Sequence, residues 1–99
     1  MSYRLRLAPG AADDLQRLFD FLADQYLAAA ERARQAVEKA FELLRNFPFA
    51  CRKASASQPS LRELVIEFGH AGYVALFEIQ RHDTITVLAV RHQREDDFY

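Results

Sequence analysis

The chain has 99 residues, 51% of them hydrophobic, with 13 basic against 14 acidic side chains and a formal net charge of −1. This size and composition predict one domain over residues 1–99 with a modest core and exclude a disordered chain, while the balanced charge excludes a global positive field aimed at nucleic acid and leaves only local patches for such a role. The lone cysteine, Cys51, excludes an internal disulfide framework. There is no 18-residue apolar run, and Met1-Ser2-Tyr3-Arg4-Leu5-Arg6 is too polar for a signal peptide, so the expected location is the cytoplasm, away from membranes.

Tyr3, Leu5 and Leu7 alternate with Arg4 and Arg6, the pattern of a short amphipathic strand that Pro9-Gly10 terminates and that belongs at a sheet edge. From Ala11 the period changes. Leu15, Leu18, Phe19, Leu22 and Tyr26 follow i, i+3, i+4, i+7 and i+11 and share one helical stripe. Asp13 and Asp14 fall in its first turn, where they complement the positive end of the helix dipole. Ala33, Val37, Ala40, Phe41 and Leu44 repeat the spacing until Asn46-Phe47-Pro48 stops it. No glycine or proline separates the stripes, yet one helix over 11–46 would be about 50 Å long at ~1.5 Å per residue. A 100-residue domain has a radius of gyration of about 13 Å, so the rod must break. The break is expected near Leu27 to Ala30, giving a helical hairpin, and Phe49 to Ser60 is expected to be a loop.

Leu61 to Tyr99 reads as three strands and a charged, aromatic tail. Leu64, Ile66 and Phe68 oppose Glu63, Val65 and Glu67, and Gly69 to Gly72 turns the chain. Tyr73, Ala75, Phe77 and Ile79 then oppose Val74, Leu76 and Glu78, and Arg81-His82-Asp83 leads into Thr84 to Val90. Runs rich in β-branched and aromatic residues with short turns favour an antiparallel meander. The predicted class is α+β: an antiparallel sheet of the N-terminal strand plus the three-stranded meander, with an α-helical hairpin on one face, in the order β-α-α-β-β-β.

Four segments in this order resemble the RelE/ParE superfamily of bacterial toxin–antitoxin toxins, and more closely its ParE branch. They are Ala12-Asp13-Asp14-Leu15, the helix from Ala36 to Pro48, Leu61-Arg62-Glu63-Leu64 with Gly72-Tyr73-Val74, and Val87 to Glu95. The resemblance implies the toxin of a type II pair, neutralised by an antitoxin that is ParD-like, with a ribbon-helix-helix fold. RelE-like members are ribosome-dependent ribonucleases and place cations on the sheet and tail to stabilise a phosphorane. At the matched positions this chain carries Glu67, Val74 and Gln93, with only the terminal aromatic, Tyr99, retained. ParE-like members bind DNA gyrase and use no chemistry of their own. The resemblance therefore implies gyrase as target and no cofactor, with ribosome-dependent mRNA cleavage and a non-toxic, antitoxin-binding member as the alternatives.

For catalysis the weak candidates are His92, Arg94 and Tyr99, His92 because its pKa lies near neutrality. For target binding the candidates are Arg62, Glu63, Arg91, His92, Arg94, Phe98 and Tyr99, although Arg62, Glu63, Arg91 and Arg94 could equally form cross-strand ion pairs. Alternation puts Val74, Leu76, Leu88 and Val90 on the face opposite Phe77, Ile79, Ile85 and Val87, which a single hairpin cannot cover. These four are the candidates for antitoxin binding. His70 and His82 fall in turns, and with one cysteine no metal site is expected. Arg52 and Lys53 could lower the Cys51 pKa, but no nucleophile partner is in sight. No direct sequence-specific contact with nucleic acid is expected.

Overall fold

The computed structural model describes residues 2–55, 57–69, 71–81 and 83–93. The elements are β1 (Arg4–Leu7), α1 (Pro9–Ala23), α2 (Leu27–Asn46), a 3-10 turn (Pro48–Ala50), β2 (Arg52–Lys53), β3 (Leu61–Phe68), β4 (Ala71–Gln80) and β5 (Thr84–His92). They form a five-stranded sheet in the order β1-β5-β4-β3-β2. The α+β class and the order of the main elements agree with the sequence reading. The sheet is mixed, however: β3, β4 and β5 form the antiparallel meander, while β1 runs parallel to β5 at one edge. The segment read as a loop also supplies a strand, since Arg52 and Lys53 pair with Glu63 and Arg62.

Pro9 begins α1 rather than merely ending β1. Its fixed φ suits the first helical position, and Ala8 before it is extended at ψ 154°. The helix therefore starts two residues before Ala11, and Asp13 and Asp14 lie beyond its first turn. The hairpin breaks at residues 24–26, where Tyr26 is extended at φ −148° and ψ 111°. Leu27 to Ala30 form the first turn of α2 instead, as their high helix propensity favours.

Both helices cover one sheet face. Ala11, Leu15 and Leu18 of α1 and Ala33, Val37 and Leu44 of α2 pack on Ile66, Tyr73, Ala75, Phe77, Ile85 and Val87. Val90 joins them, which corrects the alternation read from sequence. Leu76 pairs with Ala89 but Phe77 pairs with Val87, so Leu88 is an extra residue in β5. Such a bulge reverses the facing of everything after it. Val90 is consequently 1% exposed within the helix-side core, and Val74, Leu76 and Ala89 remain on the opposite face.

β1 stops pairing at Leu7 and Val87, so the next backbone donors of β5 have no strand beside them. Asp14 supplies the acceptor. It lies three residues after Ala11 and four before Leu18, on the buried stripe, is 5% exposed, and its Oδ2 accepts the Val90 N–H at 2.8 Å. A buried N–H left without an acceptor costs about 1–3 kcal/mol. Asp14→Ala is therefore expected to lower stability by about that amount in urea denaturation, with faster hydrogen exchange at the Val90 amide and a smaller loss in Asp14→Asn.

Candidate functional site

The face of the sheet opposite the helices carries rows set by strand register. One row is Val65, Val74 and Arg91; a second is Glu63, Leu76 and Ala89; a third joins Glu67 to Gly72. The Gln93 N–H extends the third row by donating to the Gly72 carbonyl at 2.8 Å. Gly72 must lack a side chain, because a Cβ there would lie 1.9 Å from the Ile66 carbonyl oxygen. Among the described residues no helix covers this face, yet Val74 and Ala89 are each only 3% exposed.

Of the candidate target-binding residues, the four that are described, Arg62, Glu63, Arg91 and His92, do not share one face. Neighbouring residues of a strand point to opposite faces, so Arg62 and His92 take the helix side, and Glu63 and Arg91 take the open side. Arg62 is spent on structure: its Nη1 donates to the Cys51 carbonyl at 2.6 Å, and its guanidinium sits 5.3 Å from the Phe49 ring centroid. Glu63 pairs with Arg52 of β2 at 3.0 Å. Arg91 donates to the His92 carbonyl at 3.2 Å, and the His92 ring meets Tyr73 edge-on with centroids 6.0 Å apart. Tyr73 also stacks on Phe68 at 6.3 Å, and burial raises its pKa. Arg94, Phe98, Tyr99, His70 and His82 lie outside the described residues.

A surface that the sequence reading did not single out lies between α2 and β3. A groove of about 430 Å³ is lined by Ala36, Ala40, Leu43, Val65 and Ile66, with Lys39 and Glu67 also on its walls. Leu43 is 57% and Val65 42% exposed. The signal was present: Ala36, Ala40, Leu43 and Phe47 follow i, i+4, i+7 and i+11, a second apolar stripe beside the core stripe. Along the same groove, β2 pairs only with Arg62 and Glu63. Among the described residues Leu64 to Phe68 therefore have no strand beyond them, and their outward backbone groups form an open sheet edge.

A sequence model of the family described as "ParE toxin of type II toxin-antitoxin system, parDE" matches residues 5–97. The chain belongs to the ParE toxin family. No curated protein matches the sequence. Among solved structures, the fold resembles a chain of the chromosomal ParDE toxin–antitoxin system from P. aeruginosa at TM-score 0.73 and 20% identity, covering 92% of this chain and 96% of that one. It also resembles a chain of the RelBE2 toxin–antitoxin complex from Mycobacterium tuberculosis at TM-score 0.62 and 25% identity, covering 94% of this toxin and 100% of that chain.

Cys51 shows how neighbouring charge can mislead. Its side chain packs against the core, and desolvation raises the thiol pKa, outweighing the opposite effect of Arg62. Because only the thiolate reacts, alkylation by iodoacetamide at pH 8 is expected to be several-fold slower in the folded toxin than in the urea-unfolded chain. The rate should climb as the pH rises further.

Proposed function

We propose that this toxin arrests growth by binding DNA gyrase in the cytoplasm, with no bond-making chemistry of its own, and that its antitoxin occupies the α2–β3 groove. The supporting observation is the open sheet face at Glu67, Val74 and Gln93. Where RelE-like members need cations around a scissile phosphate, this face offers an exposed carboxylate and a buried isopropyl group, with Arg91 as its nearby cation. A carboxylate repels the charge that develops on a phosphorane, and valine has nothing to donate to it.

The groove supports the antitoxin half of the reading. Its apolar floor suits one face of an amphipathic helix, and the adjoining edge of β3 suits an added strand. The solved relatives are toxin–antitoxin complexes, which agrees with a partner of this kind.

Purified toxin is expected to abolish gyrase supercoiling and to accumulate cleaved DNA, while leaving mRNA on translating ribosomes intact. Prompt mRNA cleavage with undiminished supercoiling would overturn the gyrase reading. If cleavage were observed, His92→Ala would then test the ribonuclease alternative. For the partner, Leu43→Glu and Val65→Glu each place a charge on the groove and are expected to weaken antitoxin binding at least ~10-fold by calorimetry. Both residues are exposed, so the thermal midpoint of the toxin should hardly move.

A further inference from the structure

The opposite edge of the sheet carries a separate cluster. The parallel register places Arg4 beside Thr84 and Arg6 beside Thr86. Thr84 pairs in turn with Gln80, and Thr86 with Glu78, so these residues project from the helix-free face. The turn between β4 and β5 adds Arg81. Arg4, Arg6, Gln80, Arg81 and Thr84 together line a cavity of about 200 Å³.

Two further features set this cavity apart. Arg81 is the one non-glycine residue among those described with a positive φ, at 57°. Left-handed backbone is unfavourable for a residue with a Cβ, and glycine or asparagine would make the turn more cheaply. That cost places a third guanidinium on the cavity wall. Second, Arg17, Arg34, Arg45 and Arg52 each pair with a carboxylate, whereas none of the ion pairs among the described residues includes Arg4, Arg6 or Arg81. The acids of this corner are engaged with other donors. Asp83 accepts from the Thr84 hydroxyl at 2.9 Å, and Glu78 accepts from Gln80 Nε2 at 2.9 Å. Gln80 Oε1 accepts from Thr86 at 2.8 Å, completing a fixed floor.

We infer that this cavity binds a phosphodiester of a nucleic-acid backbone. Guanidinium forks arriving from a strand and a turn suit a tetrahedral oxyanion that can be approached from several directions. Arg4 and Arg6 lie two positions apart, about 6.6 Å along the strand, and so present two guanidiniums in line along one edge. All the lining residues are polar, so the cavity lacks the buried aromatic or aliphatic anchor that a protein partner needs at its centre. The contact is to backbone and carries no sequence information. This inference goes beyond gyrase binding and stands whichever target is correct.

Binding of full-length toxin to short duplex DNA and to single-stranded RNA, read by fluorescence anisotropy across a salt series, tests it. With two or three phosphates engaged, the wild type should show a slope of log affinity on log salt of about −1.8 to −2.7 on duplex DNA, or about −1.4 to −2.1 on single-stranded RNA. Whichever nucleic acid binds more tightly identifies the source of the phosphate. The variant R4Q/R6Q/R81Q should lose that slope and bind at least ~10-fold more weakly with an unchanged thermal midpoint. Arg81→Asn, which suits the turn, guards against a folding artefact and should reduce the slope by about 1. Equal affinity and slope in wild type and variants would overturn the inference. So would binding of a polyglutamate peptide that depends on these arginines when neither nucleic acid binds.

Discussion

The bond from the Val90 amide to the Asp14 carboxylate holds the bulge of β5 in place. β5 carries one residue more than β4 can pair, and β1 ends before it could cover the surplus backbone. A regular strand in this position would strand a buried donor. Asp14 meets that donor from the first helix at 2.8 Å, and the same contact fixes α1 across β5. Ionised acceptors make stronger hydrogen bonds than neutral ones, so a single carboxylate serves both as a cap for the bulge and as a tie between layers.

The chemistry of the far end of the sheet follows from that one-residue surplus. Past Leu88 every side chain of β5 changes face: Val90 fills the core, Arg91 turns to the open side, and His92 meets Tyr73. A strand without the bulge would reverse all three. Alternation alone puts the neighbours Arg91 and His92 on opposite faces, and the bulge decides which of the two takes the open side.

The sheet's two edges divide the surface by physical type. Beside β3, short pairing by β2 leaves backbone donors and acceptors next to an apolar groove, a combination that favours a folded protein segment through burial and main-chain hydrogen bonds. Beside β1, guanidiniums line a polar cavity, where attraction is electrostatic and weakens with salt. Two strands, β5 and β4, lie between β1 and β3 in the sheet order, so occupation of one edge does not obstruct the other. An antitoxin along β3 and a nucleic-acid contact at β1 are thus compatible on one small domain.

Periodicity alone determined the two helical stripes, the strands of the meander and the facing of β3, β4 and the first half of β5, because burial of one face imposes a repeat that the residues display. The ordered segments from Ala12 to Glu95 likewise carried the family, which the match over residues 5–97 then established. Other features depended on what lies beside each residue in space. Alternation could not reveal the bulge, since the surplus at Leu88 exists only relative to β4. It put Val90 on the wrong face for that reason. The break at residues 24–26, the pairing of β2 and the parallel course of β1 depend on packing partners remote in sequence. So does the fate of the arginines: Arg62 braces Cys51 and Arg52 pairs with Glu63, while Arg4, Arg6 and Arg81 gather around a cavity. Only the tertiary structure decided which of these charges met a carboxylate and which did not.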